Sequence, residues 1–510
     1  MSSLKKLAGQ TAIYGVTNIL GRLLNYLLVP LYTNILSPGA YAPVNIVYAW
    51  IPFLTVIFTY GMETSFFKFS QDPLERRKVL NSSSISLLFS TIVFTALLLF
   101  FKNTLSGWME LGKHPEYITY FAFILAFDTL TAIPFANLRL QNRPLKYGTI
   151  KLINIFLNIG LNLFFLVLCP WLLHNDHHWV SLFYNPYMCV IYIFISNLVA
   201  SFVTWILLLP EIMNIEWKVD AELWRRMMTY SLPLIVVGLA GMVNETLDRA
   251  FFLPKYLPYS FEKNNHLIGI YGANYKLSIL ITLFIQAFRM GAEPFFFLHA
   301  QADNARQTYA RIMKYFVIIL SIMFLAVAMY LDVWKFFLRR PIYREGLFVV
   351  PYLLLANVFL GIYYNLSVWF KLSGQTKMGA YITIVTAILA FILNIWWIPI
   401  WGYLGSALAT MVCYGVQMVI CYYLGQKHYP IPYPTRKLLS ILALSLIFYG
   451  VYTGLVKYFI SPKDVYAFKP ASLILATSLL FLYGYIIYRI EKPYLKNISI
   501  PFLNRFTGKK

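Results

Sequence analysis

Fourteen apolar stretches divide this chain, and each is about as long as a bilayer is thick. They run roughly over residues 9–36, 43–67, 81–101, 117–138, 147–170, 186–209, 230–254, 268–298, 312–331, 346–370, 380–400, 403–424, 438–460 and 470–488. A helix needs about 20 apolar residues to cross a hydrocarbon core of about 30 Å. Of 510 residues, 59% are hydrophobic and 12% are charged. Soluble domains run about 45–50% apolar and about 25% charged, and a soluble chain of this length cannot hide so much apolar surface. Disorder is excluded on the same grounds, and four cysteines exclude a disulfide scaffold. The expected fold class is an all-α polytopic membrane protein of about 14 transmembrane helices. The break between the eleventh and twelfth stretches and the ends of the eighth are the least sharply marked. The first stretch follows Lys5 and Lys6 as a signal peptide would. It is too long for one and lacks an Ala-x-Ala site, so it reads as a retained span.

A net charge of +22 would suggest nucleic acid in a soluble protein. Here it sets topology instead. The termini and even-numbered loops carry 25 Lys and Arg, and the odd-numbered loops carry 10. The positive-inside rule then places both termini in the cytoplasm. The ninth loop is the exception, with Arg339, Arg340 and Arg344 facing outward. The other seven cations lie in or at the ends of spans. Lys151, Lys314 and Lys457 sit near ends and can snorkel, which leaves Arg22, Arg249, Lys276 and Arg289 to be explained.

A weak internal repeat is visible. Leu161-Asn162-Leu163-Phe164-Phe165 in span five matches Leu393-Asn394-Ile395-Trp396-Trp397 in span eleven, and Arg139-Leu140 pairs with Lys371-Leu372 at the same offset of 232. Val29-Pro30-Leu31-Tyr32 similarly resembles Leu253-Pro254-Lys255-Tyr256. An offset of six spans is even, so both copies insert in the same orientation. Such parallel repeats place a substrate site between two halves. The expected division is an N-lobe at 1–209, a C-lobe at 210–424, and two further spans with a cytoplasmic tail at 425–510.

Charged groups at membrane depth usually face a cavity or a partner. In span one, Asn18, Arg22 and Asn25 share one helical face, with Arg22 near mid-depth. In span two, Asn45, Tyr48, Pro52, Thr55, Thr59 and Glu63 keep the same period. Span four holds Asp128 at its centre, and span five carries Asn154, Asn158 and Asn162. Span seven has Asn244, Glu245, Asp248 and Arg249, with Glu245 and Arg249 spaced to pair at i, i+4. In span eight, Tyr271, Tyr275, Ser278, Thr282, Gln286, Arg289 and Glu293 hold one face, with Lys276 to one side. An uninterrupted polar stripe of this kind suggests a water-filled cavity. Each feature also has a structural reading. The asparagines can hydrogen-bond between helices, Glu245–Arg249 can be a packing pair, and Arg289 and Glu293 can lie at the rim.

Other motifs are weak or missing. His174, Asp176, His177 and His178 cluster in an outer loop and read as solvated, so no metal site is expected. Cys169, Cys189, Cys413 and Cys421 lack CxxC spacing and read as packing residues. The sequence has no phosphate loop, HExxH or GxSxG, and its longest loop, about 210–229, cannot hold an ATPase. No cofactor is expected, and neither is enzymatic activity.

At these residues the chain resembles the polysaccharide-transporter branch of the multidrug/oligosaccharidyl-lipid/polysaccharide exporter superfamily. Members include Wzx-type O-antigen flippases and, more distantly, lipid II flippases. The resemblance rests on Pro30-Leu31-Tyr32-Thr33 with Leu36-Ser37-Pro38-Gly39-Ala40-Tyr41, and on Ser231-Leu232-Pro233-Leu234 with Asp248-Arg249. Gly269-Ile270-Tyr271, Pro294 and Gly402-Tyr403-Leu404-Gly405-Ser406-Ala407 complete it. Ala42 departs from the pattern, where many members have Gly. The resemblance implies two six-helix lobes around a central cavity, with two C-terminal helices packed outside. It implies flipping of a polyprenyl-(di)phosphate-linked oligosaccharide to the outer leaflet of a bacterial inner membrane, for O-antigen, lipopolysaccharide or other surface polysaccharide. Arg22 and Asp248-Arg249 match polar positions of the family.

A charged head must then cross hydrocarbon while its lipid tail stays in the bilayer. Arg22, Arg249, Lys276 and Arg289 are expected to bind phosphate, and Asn18 and Asn25 to bind polar groups of the substrate. Asp128, Glu245 and Asp248 are candidates for Na⁺ or H⁺ coupling. The expected partners are the lipid-linked oligosaccharide, membrane lipids, and a polysaccharide polymerase or glycosyltransferases, with no nucleic acid. The alternatives are a lipid II flippase, a multidrug or cation exporter of the same superfamily, and a membrane polymerase or ligase. The last usually needs a larger outer loop than any here.

Overall fold

The protein is described by a computed structural model covering residues 15, 17, 19–112, 114–213, 215–300, 302–459 and 470–495. Among the described residues there are helices and no strands. Hydrocarbon explains this, because a spanning helix satisfies its own backbone and leaves no edge. Helical residues 19–26 lead into α1 (Leu28–Ile35), followed by α2 (Pro38–Thr59), α3 (Arg76–Phe100), α4 (Glu116–Leu140) and α5 (Pro144–Leu163). Next come α6 (Cys189–Leu207), α7 (Ala221–Glu245), α8 (Phe261–Leu298), α9 (Ala305–Ala328) and α10 (Val350–Leu366). The last four are α11 (Thr376–Trp401), α12 (Tyr403–His428), α13 (Thr435–Phe459) and α14 (Pro470–Leu495). Thirteen described helices are long and apolar enough to span a bilayer. They correspond to stretches two to fourteen, and the first stretch is only partly described. Below, the side on which the first stretch begins is the terminal side, and the opposite side is the distal side.

Local chemistry sets the helix ends. The Ser37 hydroxyl accepts from the Ala40 N–H at 3.3 Å and Pro38 takes the first turn, so α2 starts one residue after a proper cap. The second stretch does not run on to Glu63 as its polar period suggests. Tyr60 and Gly61 adopt left-handed φ angles of 35° and 73°, and Glu63 lies in the first turn of a separate short helix, Met62–Phe69, where it pairs with Arg139. The indistinct break between stretches eleven and twelve is a single residue, Gly402, at φ +59°. A side chain there would be strained. On the terminal side, the Asp220 carboxylate caps α7 by accepting from the Leu223 N–H at 3.0 Å. That bond, with Lys78 at 3.3 Å, holds its pKa below the usual carboxylate range.

Helices α2 to α6 pack among themselves, as do α8 to α12. The two sets meet where α2 lies against α8 and α7, and α7 also touches α3. The α2–α8 crossing is backbone on backbone at Gly269 and backbone on the Asn45 side chain at Gly272. A Cβ on Gly269 would sit 1.9 Å from the Pro38 carbonyl oxygen, and one on Gly272 would sit 2.4 Å from the Asn45 side chain. Helices α13 and α14 lie against α9. Glu491 fixes them there, meeting Lys314 of α9 and Lys437 of α13, each at 2.5 Å. Lys314 is therefore buried in an ion pair and does not snorkel.

The cationic ninth loop has a structural explanation. Arg340 donates from Nε to the Asn34 carbonyl and from Nη2 to the Ile35 carbonyl, both at 2.8 Å. These are last-turn carbonyls of α1, which have no partner within the helix, and the guanidinium complements the negative helix end. The Tyr343 hydroxyl donates to the Leu36 carbonyl at 3.1 Å, and the Asn274 amide of α8 donates to the Tyr343 carbonyl at 2.7 Å. Arg344 is buried, with Nε donating to the Lys335 carbonyl at 3.3 Å. The loop therefore ties the distal end of α1 to α8. Arg340→Ala is expected to lower the apparent melting temperature in detergent by a few degrees, consistent with about 1 kcal/mol for a half-solvated charged cap. The Arg339 side chain makes no hydrogen bond or ion pair among the described residues, so Arg339→Ala serves as the unchanged control; equal melting of the two variants would contradict this role.

Candidate functional site

Two adjoining chambers run through the protein and share Asn25 and Asn154 in their walls. The first has a volume of 670 Å³ and is lined by Arg22, Lys151, Glu245, Gln286, Arg289 and Glu293 among others. Arg22 comes from the first span, Lys151 from the start of the fifth, Gln286, Arg289 and Glu293 from the end of the eighth, and Glu245 from the end of α7. Alternating helix directions therefore place this chamber on the terminal side. The second has a volume of 300 Å³. Its walls include Tyr32 of α1, Tyr41 and Asn45 of α2, Asn158 of α5, Arg249 of the segment after α7, and Lys276 in the first half of α8. It ends at the α2–α8 crossing. The Tyr32 hydroxyl donating to Asn162 Oδ1 at 2.9 Å further closes its distal wall.

The cations of the two chambers differ in what they touch. Arg22 faces the terminal-side chamber and has no hydrogen bond or ion pair among the described residues. Lys151 also faces it, with Nζ 4.3 Å from the centre of the Phe135 ring. Arg289 donates from Nε and Nη2 to Glu293 Oε1 at 3.3 and 3.2 Å, and its guanidinium lies 4.0 Å from the Tyr364 ring centre. The same Glu293 oxygen accepts from Lys371 at 2.6 Å.

Arg249 corrects the expected pairing with the Glu245 carboxylate. Helix α7 stops after Glu245, Thr246 leaves helical φ/ψ at −133°, and Asp248–Phe252 forms a π turn. The break removes the i, i+4 alignment. Arg249 Nη2 turns back to the orphaned Glu245 carbonyl oxygen at 2.6 Å, and Nε donates to Asp248 Oδ1 at 3.1 Å. Asp248 is buried and also accepts from the Tyr271 hydroxyl at 2.9 Å. The Glu245 carboxylate, left without a described partner, lines the terminal-side chamber.

The sequence match that fits this arrangement covers more than half of the chain. The family model described as "Polysaccharide biosynthesis protein" matches residues 7–298. The chain belongs to the polysaccharide biosynthesis protein family. No curated protein sequence matches it. Among solved structures, it is similar to a lipid II flippase MurJ in an inward closed conformation, with 14% identity, 94% of this chain and 99% of that chain covered, and a TM-score of 0.71. It is also similar to a multidrug resistance MATE family transporter of the MOP superfamily. The inward-facing form shows 13% identity over 80% of this chain and 94% of that one, with a TM-score of 0.62. The outward-facing form shows 14% identity over 82% and 94%, with a TM-score of 0.59. The fold is thus that of the MOP-superfamily transporters.

Within this family member, the sequence-singled residues separate by place. Arg22, Asn25, Glu245 and Arg289 line the terminal-side chamber; Asn25, Arg249 and Lys276 line the distal one. Asp248 lies behind Arg249 and is not in either wall. Asp128 is in neither wall; it is exposed on α4 and accepts from the Ser201 hydroxyl at 2.8 Å. Asn18 lies outside the described residues. The polar stripe of α8 is not one wet face. Tyr271 and Ser278 are fully buried in packing, and only Gln286, Arg289 and Glu293 at its terminal end line the chamber. The asparagines of α5 do both jobs. Asn162 is buried between α1 and α5, while Asn154 donates to Thr204 at 2.9 Å and Asn158 to Asn25 at 3.3 Å at the cavity wall.

Lys151 is the residue that sequence reasoning passed over as a snorkelling group. It lies one turn before Asn154, so the periodicity of Asn154, Asn158 and Asn162 already placed it on the cavity face. Among the described residues, no group of three or more His, Cys, Asp or Glu side chains converges as metal ligands. Asp248→Asn is expected to cost about 3–5 kcal/mol by stranding the Arg249 charge. Folded protein in the membrane should fall sharply and recover in part when Arg249→Met is added. Equal loss in the single and double variants, measured by fluorescence size-exclusion, would show that the pair is not the cause.

Proposed function

We propose that the protein is a flippase. It moves a polyprenyl-(di)phosphate-linked oligosaccharide from the cytoplasmic to the outer leaflet of a bacterial inner membrane, for surface polysaccharide synthesis of the O-antigen or lipopolysaccharide kind. The observation that carries this reading is the terminal-side chamber. It presents Arg22, Lys151 and Arg289 against Glu245 and Glu293, and Glu293 is already held by Arg289 and Lys371. An anion therefore meets a site whose cations outnumber its available carboxylates. The positive-inside bias favours a cytoplasmic position for the terminal side. That is where a sugar–diphosphate head would enter while its tail remained in lipid.

The physics of each step follows from the residues. Arg22 meets a phosphate with a bidentate fork and, among the described residues, gives up no partner to do so. Arg289 can exchange its single Glu293 oxygen for a phosphate oxygen. Asparagine amides and tyrosine hydroxyls suit sugar hydroxyls. Transport then consists of lobes 1–209 and 210–424 rocking about the α2–α8 crossing, so that the chambers open to each side in turn. A potential negative inside drives an anion outward by about 2.3 kcal/mol per charge per 100 mV. Coupling of Na⁺ or H⁺ through Asp128 or Glu245 is a separate hypothesis, motivated by their lack of an ion pair; flipping in proteoliposomes that ignores both ion gradients would eliminate it. Downstream partners in this reading are a polymerase or glycosyltransferases.

The likeness to the lipid II flippase MurJ supports a second reading that differs only in the sugar. Cation export fits less well, because a cation would have to settle beside unpaired Arg22 and Lys276. Arg22→Ala is expected to reduce flipping of a lipid-linked oligosaccharide in proteoliposomes by at least about tenfold with unchanged membrane levels. Near-normal flipping in that variant sinks the phosphate role.

A further inference from the structure

The distal chamber differs in chemistry from the terminal-side one. Its walls hold Asn45, Asn154, Asn158 and Asn197 with Tyr41 and Tyr48, and no Asp or Glu is among the described residues that line it. Two cations face it. Arg249 is neutralised by Asp248, bonded to the Glu245 carbonyl, and covered by the Tyr275 ring at 3.6 Å. Lys276 is half-buried and has no hydrogen bond or ion pair among the described residues. A single uncompensated ammonium thus stands in a small pocket of neutral hydrogen-bonding groups. Holding such a charge away from bulk water without a partner is costly, so the pocket is built to receive an anion.

Two sources of that anion are conceivable in a lipid-linked glycan: its diphosphate, or an acidic group on the sugar. The diphosphate is attached to a tail that stays in the bilayer. The terminal-side chamber supplies Arg22, Lys151 and Arg289 for it. The distal chamber lies beyond these and carries the amide and hydroxyl lining that suits a sugar ring. Its volume of 300 Å³ is at the small end of ligand pockets. We infer that Lys276 recognises an acidic substituent, such as the carboxylate of a hexuronic acid, on a sugar seated in the distal chamber. The transported glycan is thereby of the acidic class. This inference rests on the flippase reading above and names the substrate class of that same site. Arg249 contributes shape to the pocket through its fixed guanidinium, and Lys276 contributes the charge. Asn25 and Asn154 line both chambers, so one head group can occupy both.

The test uses the full chain in nanodiscs and three probes: a polyprenyl diphosphate without sugar, one bearing a neutral hexose, and one bearing the corresponding hexuronic acid. Binding is measured for the wild type, Lys276→Gln and Arg22→Ala. The wild type should bind the uronic probe at least about tenfold more tightly than the neutral one, as expected for a charge-assisted hydrogen bond. Lys276→Gln should erase that difference and leave the other two affinities unchanged. Arg22→Ala should weaken all three. Equal affinity of the wild type for the neutral and uronic probes overturns the inference. So does a Lys276→Gln variant that loses affinity for all three, since Lys276 would then hold the diphosphate. Failure of the wild type to bind any probe overturns the flippase reading itself, and is distinguishable from both. Lys276→Arg, which keeps the charge, should retain the uronic preference if the variant folds.

Discussion

A charge taken out of water needs a counter-charge, a carbonyl oxygen or a wet space, and this requirement organises the whole interior. Glu491 takes two lysines and thereby anchors the last two helices to α9. Arg340 takes two orphaned carbonyls and thereby closes the distal end of α1. Arg249 takes Asp248 and a carbonyl freed by a helix break. The first two contacts fix one helix against another, and the third closes the local break after α7. What the packing leaves over is small: among the described residues Arg22 and Lys276 have no hydrogen bond or ion pair, and Lys151 lies over a ring. These face the chambers, and they are the groups available to a ligand.

The fold was legible because its driving pattern is one-dimensional. An apolar run of about 20 residues has a single stable answer in hydrocarbon, so stretches two to fourteen each correspond to a described helix, although ends such as those of α2, α7 and α9 shift by up to about two turns. Even the indistinct boundary at 402 was marked by its glycine. Breaks inside a stretch were harder to see. Neither the left-handed pair Tyr60-Gly61 nor the π turn at Asp248–Phe252 alters the apolar content, yet each rotates every later side chain about the axis. That rotation is why Glu63 leaves the α2 stripe and why Arg249 meets Asp248 and not the Glu245 carboxylate.

The site was half legible for a related reason. Helical period says which residues share a face, and it does not say what lies opposite. The stripe on α8 is a true face, but α2 and the ninth loop cover its distal half with backbone and Tyr343. Only its terminal half stays open. For Arg22 the period was enough, and Lys276, off the α8 stripe, stood out by its depth alone, since a mid-depth cation with no carboxylate on its own helix face had few packing solutions. Lys151 was obscured by its position near a span end, where a lysine can ordinarily reach water along the surface.

The α2–α8 crossing has a mechanical meaning beyond closure. At Gly269 the α8 backbone rests directly on the Pro38 backbone, and at Gly272 the one α2 side chain it meets is Asn45, so there is little there to compress and the axes can swivel. From Gly269 to Glu293 a straight helix measures about 36 Å at about 1.5 Å per residue. A swivel of about 10° at the crossing therefore carries Glu293 sideways by about 6 Å, a displacement the size of a sugar ring. Helix α8 is a lever with its fulcrum at one end. Small rearrangements where the backbones touch become large ones where Arg289 and Lys371 compete for one carboxylate.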